Sequence, residues 1–419
     1  MKNSKQILTA MALLMCLFAN ATDRIVAYGG TGGAFSTITA AIAASSSGDR
    51  IIIYPSTVAF SENLTITTSL QLLSATEGQQ WSLAGNITYN PSSAGQTLTI
   101  SGGNLTGGNI VTGINAPTGA RTKVNITGCK LASGHIDFSA NYYDMNIASD
   151  SIMGAGYVSM ASFGKVVGNY INVGSTYAHG IYIQSDGLAS TDSVYIVGNK
   201  IQMTTYSSQA TNGIYWNSTS QFYYIANNYI TAGGNNQNIV NINNSKTSSA
   251  GGNTMLNNTM NMANDGNSWT LYVTSTNSPT FIFNNLLVNG GSGFYGLYAA
   301  ASINLTVSYN HVSSGFNASY YISGFTNDGT NVLGGVNTID NNTGIAQTGP
   351  ALNGGNPDST HVDLDLTRND VGTGGGSYKF TNFHPMANLG AGARTTFMIA
   401  PRRIVVGQTF NIKGDGFDK

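Results

Sequence analysis

Charge is scarce in this sequence. Lys and Arg number 17 and Asp and Glu 18 among 419 residues, 8% in all, against about a quarter in an ordinary globular chain. The formal net charge is −1, so neither a basic field for nucleic acid nor a strong acidic field is available. Cysteine is nearly absent. Cys16 lies in an apolar N-terminal run and Cys129 is the other. A mature chain without Cys16 has no intrachain disulfide, and Cys129 reads as a small buried hydrophobe. The apolar run Ile7 to Phe18 is too short for a comfortable membrane span, and no second such stretch follows. With Lys2 and Lys5 before it and Ala19-Asn20-Ala21 after it, residues 1–21 read as a secretory signal peptide. Localisation outside the cytoplasm is the resulting expectation, whether periplasm, cell surface or medium.

What is present is a repeat. Asn169, Asn199, Asn228, Asn258, Asn285 and Asn310 recur at steps of 30, 29, 30, 27 and 25 residues, each two residues ahead of an apolar one. A period of that length predicts a solenoid. Each repeat carries three short strand patterns. One reads apolar–Tyr–apolar, as in Ile181-Tyr182-Ile183, Ile214-Tyr215-Trp216 and Leu271-Tyr272-Val273. A second precedes the asparagine, as in Val194-Tyr195-Ile196 and Tyr223-Tyr224-Ile225, and a third starts at Ile171, Ile201 or Ile230. The expected fold is all-β, a right-handed parallel β-helix. The asparagines read as turn residues that tolerate left-handed backbone and stack their amides into a ladder. Gly103, Cys129 and Asp150 fill the same slot in earlier coils.

Before the repeats, Ile38, Ala41 and Ile42 fall on one helical face behind Ser36 or Thr37 as N-cap. This predicts a short helix over the open end of the coil stack, which otherwise exposes its core. The expected organisation is 1–21 signal peptide, 22–94 N-terminal cap and first coils, 95–348 β-helix repeats, and 349–419 C-terminal cap or β-region. Thr37-Ile38, Ala41-Ile42, Gly48-Asp49, Pro55, Glu62-Asn63-Leu64 and Ile66 resemble the N-terminal cap pattern of the pectin-lyase-like β-helix superfamily. Ser56 departs from it where glycine is usual. The stretch Asp365 to Tyr378 resembles a segment that ends secreted β-helix proteins of Bacteroidetes-like bacteria. The resemblance implies the fold, but no single reaction, because the superfamily includes lyases, hydrolases, esterases and non-catalytic adhesins.

Acid and base groups are thin across the repeats. Arg121, Lys123, His135, Asp137 and Asp144 fall within a short span. They are the candidate catalytic set if adjacent coils bring them together, since glycan hydrolysis needs a paired acid and base. Asp186 and Asp192 near His179 form a lesser candidate for Ca²⁺ or an acid pair. His311 reads as a solvated turn residue. Asp363, Asp365 and Asp370 around Arg368 have two readings, a Ca²⁺ site or an Arg–carboxylate network that fixes the C-terminal region. No other cofactor is implied.

The aromatic residues carry the leading expectation. Tyr182, Tyr215, Tyr272 and Tyr298 share one register, with Val240 in the remaining coil, and Tyr195, Tyr224 and Phe281 share another. Alternation points both columns outward. Such columns suit a polysaccharide or a surface protein. The rival reading is self-stabilising stacks or columns covered by a loop. The expectation is a secreted, non-catalytic β-helix protein that binds polysaccharide or a surface partner. Its alternatives are a polysaccharide lyase or glycoside hydrolase, or a structural rod.

Overall fold

The structure, a computed structural model, describes residues 21–417 apart from 155, 162, 175–178, 187, 189–192, 204–210, 234–237, 249–250, 263–268, 275–277, 290–294, 301–303, 359–360, 364, 386–393, 401–408 and 410–411. Residues 1–20 of the expected signal segment lie outside the described residues, as does Asp192.

The chain winds into a parallel β-solenoid of about 10 turns. Three long sheets form its walls. Among the described residues, sheet A has 12 strands, from Asp23–Val26 to Leu305–Ser308; sheet B has 11, from Trp81–Leu83 to Val332–Gly335; sheet C has 11, from Leu64–Ile66 to Ile322–Ser323. Each coil passes from A to B to C. One such coil is Phe163–Val167, Tyr170–Val173 and His179–Gln184. Every strand pairs in parallel with its counterpart one coil away, so the repeat period is also the hydrogen-bonding period.

Alternation fills the interior. Ile181, Ile214, Val240, Leu271 and Leu297 stack in register on the inner side of sheet C, all fully buried. Trp81, Trp216, Tyr143 and Tyr223 are also fully enclosed. Removing this much apolar surface from water is the main stabilising term, since charged groups are few. A six-residue helix, Ile38–Ala43, packs Ile38 and Ala41 into the same core against the first strands. Thr37 Oγ1 accepts from Ala40 N at 3.1 Å, and the Glu62 carboxylate accepts from the Ile38 and Thr39 amides at 2.9 and 2.8 Å.

The asparagine ladder runs along the corner between sheets A and B. From Asn169 to Asn331 each Nδ2 donates to the Oδ1 of the next rung at 2.9–3.0 Å, and each backbone N–H shares that acceptor. Nδ2 also donates to a strand carbonyl, as from Asn199 to Val166 O at 2.8 Å. All these asparagines but Asn331 (7% exposed) are at least 99% buried. The left-handed residue, however, is the one before each rung from Asn169 to Asn310: Gly168, Gly198, Asn227, Asn257, Asn284 and Tyr309, with φ of 54–63°. The sequence reading merged two jobs that the corner divides between neighbours. The rung's side chain must point inward, which fixes its own backbone in an ordinary region, and the preceding residue makes the turn.

A second ladder, in the N-terminal coils, lines the corner between sheets B and C. Asn86 N, Asn109 N and His135 N donate to Asn63, Asn86 and Asn109 Oδ1 at 2.9, 2.8 and 3.0 Å. The residue before each donor is glycine: a Cβ on Gly85, Gly108 or Gly134 would lie 1.7–2.0 Å from the carbonyl oxygen of the coil below.

The C-terminal region folds back along the rod. The described residues between 351 and 384 lie on the A–B corner, and the strand Arg394–Ile399, paired with Lys413–Phe417, lies on sheet A. The left-handed asparagines hold this segment. Asn227 Nδ2 donates to Gly375 O, Asn257 Nδ2 to Asn369 Oδ1 and Asp370 O at 2.8 Å, and Asn284 Nδ2 to Asn369 Oδ1 at 2.9 Å. Where the corner residue is Gly168 or Gly198, Phe383 packs directly onto it and leaves no room for a side chain.

Candidate functional site

The outer face of sheet C carries the candidate site. Strand register places Thr65, Thr88, Val111, Asp137, Ser159, Tyr182, Tyr215, Asn241, Tyr272, Tyr298 and Ser323 in one outward column. The four tyrosines point outward and are partly exposed, between inward neighbours such as Ile181 and Ile183. Val240 does not fill the fifth coil. It is fully buried, and Asn241 holds that place in the column.

The aromatic surface is wider than the column. Tyr182 and Tyr215 have ring centres 5.2 Å apart, and His179 stacks on Tyr215 at 4.5 Å. Beyond Asn241, Tyr272 stacks on Tyr298 at 4.9 Å, Trp269 lies 4.9 Å from Tyr295 and 5.4 Å from Tyr298, and Tyr295 lies 4.4 Å from Tyr320. Two aromatic platforms therefore flank a row of asparagines, in which Asn238 and Asn241 are partly exposed and Asn212 is buried 3.0 Å from His179 Nδ1. Burial, and after it the neighbouring Tyr182, raises the pKa of the Tyr215 phenol.

His179, Trp269, Tyr295 and Tyr320 escape a reading by alternation. His179 and Trp269 precede their column tyrosines by three residues, which on a regular strand means the opposite face. Here two consecutive residues point inward at the strand start, Gly180-Ile181 and Thr270-Leu271, so the residue before them emerges on the outer face. The repeated spacing of Trp269 to Tyr272 and Tyr295 to Tyr298 is the signal that was available in the sequence.

The second column is only partly open: Phe281 at its end is 37% exposed, and with Tyr224 it lines a groove of about 360 Å³. Tyr195 and Tyr224 are in register on sheet A between Lys165 and Thr254. The C-terminal strand covers them: Phe397 is 2% exposed, its ring 5.3 Å from Tyr195 and 5.4 Å from Tyr378. The expectation of an open column at Tyr195 and Tyr224 is narrowed accordingly, because the C-terminal region packs against both rings and leaves them partly exposed.

The five candidate catalytic residues are not brought together. Lys123 and Asp144 are partners across adjacent strands of sheet A. Arg121 forms an ion pair with Asp186, which is fully buried and also accepts from Gln221 at 2.8 Å, and its guanidinium lies 5.7 Å from the Phe163 ring centre. Arg121 and Asp186 are thus a structural pair. His135 and Asp137 lie on the sheet C side. The His135 ring stacks on Tyr157 at 4.3 Å, burial lowers its pKa, and its backbone ends the second ladder. Asp137 accepts from Ser139 N at 2.9 Å and Tyr157 Oη at 3.3 Å. It borders a groove of about 280 Å³ with Ser159, His179, Tyr182 and Gln184. Asp137 is the only carboxylate lining that groove among the described residues.

Asp363, Asp365 and Asp370 do not converge either. Asp363 accepts from Asp370 N at 2.9 Å and Asn369 Nδ2 at 3.1 Å, Asp365 from Thr367 N at 3.0 Å, and Asp370 from Asn353 N at 2.7 Å. Thr367 holds the Asp365 carboxyl below its usual range. Arg368 donates to the Gly355 carbonyl at 2.6 Å. Each carboxylate serves a loop turn, and no group of three His, Cys, Asp or Glu suited to a metal occurs among the described residues. His311 is not a solvated turn residue: it is 1% exposed, and burial lowers its pKa to about 4.

The fold and this face define a parallel β-solenoid with one aromatic wall. No protein-family model matches the chain, and neither a curated protein nor a solved structure does. No helix among the described residues is long and apolar enough to cross a membrane.

Proposed function

We propose that this protein is a non-catalytic glycan-binding solenoid that holds an extended polysaccharide on the outer face of sheet C. The observation that carries the reading is the pair of aromatic platforms in one register, Tyr182–Tyr215 and Tyr272–Tyr298, with His179, Trp269 and Tyr295 beside them. Tyrosine and tryptophan offer rigid apolar faces to the C–H faces of sugar rings and polar edges to their hydroxyls, with little conformational entropy to lose. Asn238 and Asn241, partly exposed between the platforms, add amide donors. From Tyr182 to Tyr298 the column spans four coil steps, about 19 Å at about 4.8 Å per step, enough for several sugars. The scarcity of acid–base pairs on this face favours binding over hydrolysis. The signal-like N-terminus supports export, and the N-terminal cap pattern supports distant kinship with pectin-lyase-like β-helices.

A glycan array followed by calorimetry tests the reading. The parent protein should bind an extended glycan, release no product, and lose binding when Tyr182, Tyr215, Tyr272 and Tyr298 are all replaced by alanine. Binding that survives in a folded quadruple variant would remove the site from sheet C, and product release would replace binding with catalysis.

A further inference from the structure

Where the aromatic column ends, its chemistry changes sign. Ser159 and then Asp137 follow Tyr182 in register, and the outward column from Thr65 to Ser323 contains no Lys or Arg. Resting on the glycan reading above, we propose that Asp137 is a specificity-determining residue of the strip: it favours amino sugars and neutral sugars and turns away polyuronates. A ring stacked on Tyr182 reaches the 280 Å³ groove, whose wall includes Asp137, Ser159 and Gln184. Ser139 N and Tyr157 Oη fix the orientation of the carboxylate, so it meets a ligand with little ordering cost. A carboxylate accepts from hydroxyls, accepts more strongly from an ammonium, and repels another carboxylate. Arg121 does not offset it, because its guanidinium pairs with buried Asp186. Among the described residues of the column, a polyuronate would meet the Asp137 carboxylate and no Lys or Arg.

Three oligosaccharides of equal length and identical β-1,4 backbone separate the possibilities: a cello-oligosaccharide, its 2-amino counterpart from chitosan, and its 6-carboxyl counterpart, cellouronate. Affinities are measured by calorimetry in mildly acidic buffer. The full-length protein should bind the amino chain tightest, then the neutral one, with cellouronate weakest. Asp137→Asn should weaken chitosan binding by about tenfold and the cello-oligosaccharide much less, since the amide oxygen still accepts from hydroxyls, and Asp137→Lys should gain cellouronate. Asp144→Asn, which removes the same charge from sheet A, should change none of the three. If cellouronate binds the parent as well as chitosan does, and the four-tyrosine variant abolishes both, the glycan reading stands and the role of Asp137 falls. If none of the three binds, both fall together.

Discussion

At the scale of the residue, the ladder position 150 is the telling one. Asp150 occupies a rung where asparagine stands below it: its Oδ1 accepts from Cys129 N at 2.6 Å, and its own N–H donates to Asn169 Oδ1 at 2.9 Å. Its Oδ2, where asparagine would place an amide donor, is buried without a hydrogen-bond partner. Burial raises its pKa well above the carboxylate range, so the folded chain keeps a proton that the unfolded chain releases. Stability attributable to this residue is therefore present at low pH and lost as pH rises from the ordinary carboxylate range through the folded value. Asp150→Asn supplies the missing donor and removes the titration. Its denaturation midpoint should exceed the parent's near pH 7, with the gap shrinking toward about pH 4. An equal gap at both pH values would contradict the assignment. Cys129 beside it is fully buried, and burial pushes its thiol pKa up, so it is an inert packing group.

At the scale of the element, one corner divides its work between two adjacent asparagines. Asn228 is the rung: Nδ2 donates to Ile196 O and Asn258 Oδ1, and Oδ1 accepts from Asn199. Asn227 is the left-handed turn residue and reaches outward to Gly375 O. Asn228→Ala takes the buried acceptor from the Asn199 amides and the side-chain donor from the Ile196 carbonyl, and should cost about 3 kcal/mol. Asn227→Gly keeps the turn, because glycine accepts positive φ, and should loosen only the C-terminal segment. Urea denaturation of the two variants checks the contrast, and equal losses would dissolve the division of labour. The sequence period made the ladder legible in advance. The partition between turn residue and rung was not legible, because both residues of the Asn227-Asn228, Asn257-Asn258 and Asn284-Asn285 doublets are of one type.

At the scale of the whole molecule, the C-terminal region decides which faces remain open. Phe397 seals the Tyr195–Tyr224 column over Ala148, Val167, Val197 and Ala226, and Asn146 Nδ2 donates to Thr396 Oγ1 at 2.9 Å. Phe397→Ala should raise amide exchange across 394–399 while the ladder amides stay protected, since the rod buries its own core without this strand. Loss of ladder protection would make the strand integral to the rod.

The sequence by itself determined the coil. Its period fixes the solenoid, its alternation sends Tyr182, Tyr215, Tyr272 and Tyr298 outward, and its lack of charge leaves apolar burial and amide ladders to hold the stack. These are local and periodic properties, repeated often enough to be read from the chain. Only the tertiary structure decided the rest. It paired Arg121 with Asp186, 65 residues away, and turned His179 and Trp269 onto the tyrosine face through a local break in alternation. It also folded the C-terminal segment onto sheet A, where it packs against Tyr195 and Tyr224, while the sheet C tyrosines stay partly exposed among the described residues. Those outcomes depend on contacts between segments with no common period. Which face a returning segment covers is set by shape and by unpaired amides at the corner, which emerge only once the coils have stacked.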